Sequence, residues 1–381
     1  MNFSWTSEQQ SRFDAALSFA KTELDRDMVD ADQTGEFAFD LWRRCADFGV
    51  LRWPVPEERG GAGLSVTTVS YLMEALGQGC RDNGLTFALG AQMWGVQTAL
   101  LHFGTERQLD RYLGGSLRGE RIAAYAMTEE GSGSDAFGIS STAVRDGSDY
   151  VLNGEKVLIT FGPIADYAIV FAKTDPSAGR WGLSAFLVDA DTSGYTAHPT
   201  EAKMGLRTVP FGAISLSDVR VPSEALLGKE GAGASIFSFS QGWERSLVLA
   251  PQLGALERLL DESLTFARTR ERAGRPIGKH QAVSHRIAEM KLSLETARLL
   301  LYKTAWLQEN GRPNLMEAAL TKIFLSERFV EASLDAVAIH GGDGYRTETE
   351  IERNVRDAIG ATIYGGTTDV QRNIVAGLLG L

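Results

Sequence analysis

The sequence contains few of the residues that build disulfide frameworks or metal centres. Two cysteines, Cys45 and Cys80, in 381 residues are too few to staple a small secreted fold. The five histidines are scattered, and His280 and His285 are five positions apart, whereas paired metal ligands on a helix are separated by four. We therefore expect neither a disulfide framework nor a metal site.

A basic surplus and a long apolar run are also missing. The chain has 38 Lys and Arg against 49 Asp and Glu, a net charge of −11, which argues against a nucleic-acid-binding face. No apolar run approaches the roughly 20 residues that span a bilayer. The amino terminus leads into acidic residues rather than an apolar or Arg-rich segment, so we expect no targeting peptide and predict a cytoplasmic protein without membrane association.

The hydrophobic pattern changes period twice along the chain. A helical period runs from residue 7 to about 120, a period of two follows to about 230, and helical spacing returns after Gly233. The length suggests two or three packed subdomains. We predict an α+β multidomain protein with an N-terminal helical domain (1–121), a central β-barrel-like or β-sandwich domain (122–232) and a C-terminal helical bundle (233–381).

Turn residues and spacing predict individual elements. Residues 149–160 are interpreted as a β hairpin, because Asn153-Gly154 is typical of a type I′ turn. Further strands are predicted at 167–173, 182–188 and 212–216. A bundle helix is predicted from apolar residues that alternate steps of three and four, namely Ile287, Met290, Leu294, Ala297 and Leu301.

Three glycine-rich segments are candidates for a ligand site. Residues 131–136 fit the dinucleotide pattern G-x-G-x-x-A, but strands follow them rather than the helix of a βαβ unit, so we reject a Rossmann site. The loop suits close backbone approach to a flat polar ligand, and it is equally compatible with a plain turn. The pairs at 341–342 and 365–366 are either helix caps or positions where a bulky ligand crosses the bundle.

Residues 240–250 carry a possible catalytic carboxylate. We predict one helix with an apolar stripe of Trp243, Leu247 and Ala250, and with Glu244 and Arg245 at its edge. A carboxylate against apolar surface is costly unless it is paired or used. This stretch alone is also compatible with a partly solvated Glu on the side of a helix.

Several segments together resemble the FAD-dependent acyl-CoA dehydrogenases, in the family's order along nearly the whole chain. The matching segments are residues 56–64, 126–135 and 152–156, the group of Arg270, Gly274, Gln281 and 288–290, and the C-terminal group of 341–345, 356–357 and 363–367. The resemblance implies a C-terminal four-helix bundle, a homotetramer, and FAD in the cleft between β domain and bundle, partly reaching a neighbouring subunit.

The resemblance also implies the residues that bind FAD. Thr128, Ser134 and Thr160 should face the isoalloxazine. Arg270 and Gln281 should contact the cofactor of a neighbouring subunit, and Thr367 its phosphate region. The full implied set is Met127, Thr128, Gly133, Ser134, Leu158, Thr160, Arg270, Gln281, Gly341, Gly342, Thr367 and Asp369.

Departures from the family pattern indicate a divergent branch. Leu158, Ala273 and Ala338 stand where the family usually has Trp, Phe and Gln. Gly365 replaces the Glu that serves most members as the catalytic base. A minority branch places its base on the first bundle helix, directly before an Arg, and Glu244-Arg245 occupies that place.

The resemblance therefore implies roles for three residues. Glu244 would remove the substrate α-proton, Arg245 would orient Glu244 and favour its ionised form, and the Gly365 N–H would polarise the thioester carbonyl. The implied reaction is FAD-dependent α,β-dehydrogenation of a short acyl or aminoacyl thioester. The neighbouring residues are most similar to enzymes that oxidise L-prolyl groups on a peptidyl carrier protein in natural-product biosynthesis.

Three other functions remain open from the sequence. One is a short- or branched-chain acyl-CoA dehydrogenase, in which coenzyme A replaces the carrier protein. The second is a flavin monooxygenase or oxidase of the same fold, and the third is a non-catalytic carrier-binding protein. For a dehydrogenase, the electron acceptor would be an electron-transfer flavoprotein or oxygen.

Overall fold

A computed structural model describes residues 4–381 of the protein, so the first three residues of the predicted N-terminal domain lie outside the described part. The N-terminal third is helical. Thr6 caps the first helix by accepting a hydrogen bond from the Gln9 backbone N–H. The helices are α1 (Ser7–Glu23), α2 (Met28–Thr34), α3 (Phe39–Phe48), α4 (Val66–Gly79), α5 (Asn83–Gly90), α6 (Thr98–Phe103), α7 (Glu106–Gln108) and α8 (Gly114–Leu117), with π-helical turns at Ala91–Gln97 and Leu109–Leu113.

The middle of the chain forms one mixed sheet. Its strands are β1 (Ala123–Ala126), β2 (Thr142–Asp146), β3 (Asp149–Thr160), β4 (Tyr167–Lys173), β5 (Leu183–Asp189), β6 (Tyr195–Ala197), β7 (Phe211–Pro222) and β8 (Leu226–Leu227). The strand order is β6-β7-β3-β2-β4-β5-β8, and β1 pairs in parallel with β4. Because β6 and β8 do not pair, the described sheet is open, and the barrel-like part of the prediction was too strong.

The predicted hairpin at 149–160 is wrong, because these residues form the single strand β3. Its long partner is β7, and the register shifts between Leu152 and Gly154. Gly154 has φ +147°, and a Cβ there would lie 2.1 Å from Ser141 Oγ. The Asn-Gly pair therefore lies at a β-bulge instead of a turn, and glycine is found where the strand passes close to a neighbouring residue.

The C-terminal part is helical again. Its helices are α9 (Gly233–Leu247), α10 (Ala250–Thr269), α11 (Gln281–Glu309), α12 (Leu315–His340), α13 (Ile351–Ala361) and α14 (Thr368–Leu378), and a small ribbon of β9 (Glu271–Arg272) and β10 (Arg275–Pro276) joins α10 to α11. The predicted bundle helix is confirmed, since Met290, Leu294, Ala297 and Leu301 of α11 are buried. The helix predicted over 240–250 is two helices, which Val248 and Leu249 separate.

The two helical regions share one hydrophobic core. Leu72 and Leu76 of α4 and Leu253 and Leu256 of α10 belong to it. Glycines allow the two backbones to touch, because a Cβ at Gly77 would lie 1.8 Å from the Pro251 carbonyl oxygen. The N-terminal helices are thus built against the helices that follow the sheet. No helix of residues 4–381 has the length and apolar character needed to cross a membrane.

Candidate active site

Glu244 lies in the last turn of α9 and is partly buried. Gln241, one turn earlier, donates a hydrogen bond from Nε2 to Glu244 Oε2 at 2.9 Å. Burial raises the pKa of Glu244 to about 7, and this effect outweighs the lowering by Gln241 and by the positive charge of Arg245. A carboxylate with a pKa near neutrality suits a general base, since it is ionised at working pH and still binds a proton well.

The π-helical turn Ala91–Gln97 brings Gly95 against this carboxylate. A Cβ at Gly95 would lie 3.7 Å from Glu244 Oε2 and 3.9 Å from Oε1. On the same turn Trp94 stacks on Trp243, with ring centroids 5.9 Å apart. Such turns are frequent at functional sites. Here Trp94 of the turn packs on Trp243, the residue before Glu244. Gly95 leaves the space beside the carboxylate free of a side chain.

Gly365 reaches the same place from the loop before α14. A Cβ on Gly365 would lie 4.0 Å from the Cα of Arg245. Gln371 Nε2 holds the loop by donating to the carbonyl oxygens of Gly365 at 3.1 Å and Gly366 at 3.0 Å. The Gly365 N–H donates no hydrogen bond within residues 4–381. A free N–H therefore lies close to the turn of α9 that carries Glu244.

The resemblance implied that Arg245 orients Glu244. In the structure the contact with Glu244 comes instead from Gln241. No ion pair joins Glu244 and Arg245 in the described chain, because neighbouring residues on a helix point in different directions. Arg245 is partly buried, its Nε has no hydrogen-bond partner there, and burial lowers its pKa. Gln241 was missed, although its spacing of three from Glu244 was the available signal.

A buried ion pair fixes the loop that follows β1. Lys156 of β3 donates from Nζ to Glu129 Oε1 at 2.7 Å and to the Met127 carbonyl oxygen at 3.2 Å. Burial alone would raise the pKa of Glu129, but hydrogen bonds from Lys156, Ser140 and Ser141 hold it at about 2. The loop that carries the first group of candidate FAD residues is therefore anchored at its base.

The exposed side of this loop fits a flat ring with polar edges. The hydroxyl groups of Thr128 and Thr160 have no hydrogen-bond partner in residues 4–381, and Val157 N–H donates to the Thr128 carbonyl oxygen at 2.9 Å. A Cβ at Gly133 would meet no atom within 4 Å, and Ser134 beside it is exposed. Free hydroxyls beside an open glycine loop are what an isoalloxazine edge requires.

Leu158 lies at an irregular position of β3. Its φ is +59°, and its side chain is 53% exposed, where the register with β7 shifts between Lys156 and Ile159. A left-handed backbone is unusual for a residue with a side chain. The bulge turns this apolar side chain outward instead of burying it in the sheet.

A second group of candidate FAD residues lies at the far end of the bundle. Arg270 Nη2 is 3.9 Å from Asp343 Oδ2, and Gln281 is the exposed first residue of α11. Gly341 and Gly342 are exposed, and a Cβ on either would meet no atom within 4 Å. No hydrogen bond or ion pair links this group to the Thr128 loop within one described chain. The contact of Arg270 and Gln281 with the cofactor of a neighbouring subunit stays a prediction, as does the binding of FAD by Gly341 and Gly342.

The last two candidate residues begin α14. Thr367 caps the helix, and its Oγ1 accepts from the Val370 N–H at 3.2 Å. The Asp369 side chain is 88% exposed and pairs with Arg372 at 3.1 Å. Thr367 follows the Gly365–Gly366 loop directly, whereas the Asp369 carboxylate already has a partner on its own helix.

Comparison with known proteins agrees with this architecture. Three family models match in order: acyl-CoA dehydrogenase N-terminal domain at residues 6–120, middle domain at 124–219 and C-terminal domain at 231–379. An L-prolyl-(peptidyl-carrier protein) dehydrogenase of Serratia sp. is 36% identical over 381 residues, covering 100% of this chain and 99% of the relative. One from Pseudomonas fluorescens is 41% identical, covering 89% and 90%.

Solved structures show the same similarity. The prolyl acyl carrier protein oxidase AnaB superposes with a TM-score of 0.98 at 42% identity, covering 99% of this chain and 100% of AnaB. PigA with FAD and proline gives 0.97 at 36% identity, with both chains covered fully at 100%. The chain therefore belongs to the acyl-CoA dehydrogenase family and is an FAD-dependent oxidoreductase that acts on thioesters.

Proposed function

We propose that the protein dehydrogenates an L-prolyl thioester, carried by a peptidyl carrier protein, between its α- and β-carbons during natural-product biosynthesis. The observation that carries the proposal is the Glu244 carboxyl group, with a pKa of about 7, on a turn of α9 that the Gly365 loop approaches at Arg245, while the Gly365 N–H has no partner in the described chain. The two relatives named for L-prolyl-carrier dehydrogenation support the choice of substrate.

Each of these groups has one task in the reaction. Gln241 occupies Oε2 of Glu244, so Oε1 is the free oxygen that takes the α-proton. The Gly365 N–H donates to the thioester carbonyl oxygen, which stabilises the negative charge that develops there as the proton leaves. FAD, when bound, would supply the acceptor for the β-hydride. Thr128, Thr160, Gly133 and Ser134 would hold its ring, and Gly341 and Gly342 other parts of it. Arg270 and Gln281 would contact the cofactor of a neighbouring subunit, and Thr367 its phosphate region.

Anaerobic mixing of the holoenzyme with L-prolyl-carrier thioester tests the proposal, because flavin bleaching without oxygen requires dehydrogenation. We expect Glu244→Gln to slow bleaching roughly 10²–10⁴-fold, the usual contribution of a general base. The matched control is Glu289→Gln, an exposed carboxylate on α11, which should bleach at the normal rate. Unchanged bleaching in Glu244→Gln would exclude this base.

A butyryl-CoA dehydrogenase is the second candidate, since the Megasphaera elsdenii enzyme superposes with a TM-score of 0.96 at 33% identity. Parallel mixing with butyryl-CoA and isovaleryl-CoA separates the two functions. Faster bleaching by either CoA ester would favour this candidate. Re-oxidation of the bleached protein by oxygen or by an electron-transfer flavoprotein then identifies the acceptor.

We also propose that the protein forms a homotetramer and is cytoplasmic. Its domain boundaries are proposed at residues 121/122 and 232/233. An exposed apolar stripe on α11 supports self-association: Leu292 is 59%, Leu299 57% and Trp306 46% exposed, at intervals of seven residues. Residues seven apart lie on one face of a helix. A second copy of the chain would cover this face.

A further inference from the structure

The face of α9 that carries Glu244 also carries Ser240 and Phe237. These residues are separated by steps of four and three, the spacing that places side chains on one side of a helix. Ser240 lies one turn before Glu244, so their Cβ atoms are about 5–6 Å apart. Ser240 is fully buried, and its Oγ has no hydrogen-bond partner in residues 4–381. An unpaired hydroxyl group therefore lies next to the candidate base.

Strand β1 brings a second hydroxyl group to this face. The ring of Tyr125 packs on Phe237 of α9 and on Phe171 of β4, with ring centroids 6.3 Å and 5.1 Å apart. Burial raises the pKa of Tyr125, the Ser240 hydroxyl group lowers it, and the negative charge of Glu244 raises it again. Tyr125 Oη therefore lies near both side chains, yet it has no hydrogen-bond partner of normal geometry in the described chain.

Tyr364 is a contrasting case near the same carboxylate. Burial raises its pKa, and the negative charge of Glu244 adds to that effect. Its Oη accepts a hydrogen bond from Gln252 Nε2 at 2.9 Å, so this buried hydroxyl group already has a partner. Burial of a hydroxyl group without a partner is unfavourable. A polar atom of a ligand would remove that penalty at Tyr125 and Ser240.

The ring nitrogen of a prolyl group is a polar atom that fits this place. It is bonded to the α-carbon at about 1.5 Å, and a reactive pose brings that carbon within about 3–3.5 Å of a Glu244 oxygen. The nitrogen then lies within about 5 Å of the carboxylate, on which the Ser240 side borders. Its N–H groups can donate to the lone pairs of serine and tyrosine hydroxyl oxygens. A butyryl or isovaleryl chain has only carbon at the corresponding position and would leave both hydroxyl groups unpaired.

We propose that Tyr125 and Ser240 bind the pyrrolidine nitrogen of the substrate and thereby select an L-prolyl thioester over thioesters whose acyl group contains only carbon. The inference rests on the proposed function, because it assigns a subsite for the proposed substrate. In this subsite the two hydroxyl oxygens accept the N–H groups, while Glu244 takes the proton of the adjacent carbon. Contacts on both sides of the α-carbon orient the ring toward the base.

The test compares two pantetheine thioesters with rings of the same size: L-prolyl, and cyclopentanecarbonyl, in which carbon replaces the nitrogen. The variants Tyr125→Phe and Ser240→Ala each remove one oxygen atom. We expect the ratio of anaerobic bleaching rate constants, L-prolyl over cyclopentanecarbonyl, to fall at least about 5-fold in each holoenzyme variant, because the buried N–H loses an acceptor. Tm should not fall, since neither hydroxyl group has a partner to lose in the described chain.

Tyr195→Phe and Ser263→Ala are the matched controls. Tyr195 Oη of β6 and Ser263 Oγ of α10 are also buried without a hydrogen-bond partner in residues 4–381. Neither residue belongs to β1 or to α9. The same atom is therefore removed in a similar environment outside the proposed subsite, and the ratio should stay constant.

An equal loss of rate for both thioesters would assign the hydroxyl groups to the shared pantetheine arm and overturn the inference. Loss of flavin content in Tyr125→Phe would assign its hydroxyl group to the cofactor and overturn it as well. If neither thioester bleaches the unmodified protein, the proposed function and the nitrogen subsite both fail. If L-prolyl thioester bleaches it but neither variant changes the ratio, the nitrogen subsite alone fails.

Discussion

Two opposing effects set the proton affinity of Glu244. Burial among the residues of α9 and the π-helical turn disfavours the carboxylate, while Gln241 and Arg245 favour it. Desolvation is the larger effect, so the net shift is upward to about 7. The result is a base that is about half ionised at neutral pH and remains strong enough to accept a carbon-bound proton.

The pKa of Glu244 predicts how the rate of anaerobic flavin bleaching depends on pH. Because only ionised Glu244 accepts the α-proton, the anaerobic bleaching rate should fall about tenfold per unit as pH drops below about 7, and level off above it. Stopped-flow bleaching from pH 5.5 to 9 measures this profile. A rate that is independent of pH across 7 would contradict the assignment of Glu244.

Gln241→Ala tests the hydrogen bond from Gln241 to Glu244, which orients the carboxylate in place of Arg245. Loss of the hydrogen bond to Oε2 removes an interaction that lowers the pKa. The midpoint of the bleaching profile should therefore move to higher pH. Gln252→Ala is a control on α10, since Gln252 donates to Tyr364 Oη at 2.9 Å and should leave the midpoint in place. A midpoint that moves only in the control would refute the role of Gln241.

Two elements meet at the base of the loop that carries Thr128. The loop after β1 and strand β3 are joined by the buried pair of Lys156 and Glu129, of which Lys156 has no exposed side-chain area. A strand with a bulge at Gly154 and an outward Leu158 gains few regular ladder bonds there. The ion pair therefore joins the loop that carries Thr128 to the irregular strand that carries Thr160.

Lys156→Met should destabilise the protein by about 3–5 kcal/mol, because it leaves the Glu129 carboxylate buried without its counter-charge. FAD affinity should weaken in parallel. Lys173→Met is the control, since Lys173 forms no ion pair in the described chain. Urea unfolding and FAD titration measure both effects, and a loss of stability in the control alone would argue against the anchoring role.

Helix α4 and helix α10 approach too closely for a side chain at Gly77. Gly77→Ala should cost about 1–3 kcal/mol, the usual range for overpacking, because its Cβ would meet the Pro251 carbonyl. Gly377→Ala, in an open position of α14, should instead stabilise by about 0.5–1 kcal/mol. Opposite shifts in the urea midpoint are expected, and equal shifts would show that the close approach relaxes freely.

At the scale of the whole molecule, three distant segments assemble the candidate active site. Gly95 comes from the N-terminal helices, Glu244 from the first helix after the sheet, and Gly365 from the last loop of the bundle. The core shared by both helical regions fixes their relative positions. A change that separates these regions should therefore reduce dehydrogenation even when every side chain of the site is present.

Self-association is the property that belongs to the whole molecule. Leu299→Lys places a charge in the exposed stripe of α11 and should shift the protein from the proposed tetramer to a smaller species. Light scattering after size exclusion measures the molar mass. Phe39→Lys, at an equally exposed residue of α3, should not change it. A tetramer in both variants would place the interface elsewhere.

The sequence by itself determined the order of helical and β regions, because hydrophobic period depends on which side of each element is buried. The resemblance of its motifs also indicated the family and directed attention to Glu244 once Gly365 was seen to lack a carboxylate. Elsewhere local signals were ambiguous. Asn153-Gly154 is typical of a turn, yet its position against Ser141 depends on a contact that no local pattern contains.

Only the tertiary structure decided how Glu244 is held and what its pKa is. A sequence neighbour such as Arg245 is close along the chain, but helical geometry turns it away, and Gln241 one turn earlier makes the contact. Burial of the carboxyl group depends on segments more than a hundred residues distant in sequence. Proton affinity follows from the surroundings that these segments provide together, so it exists only in the folded chain.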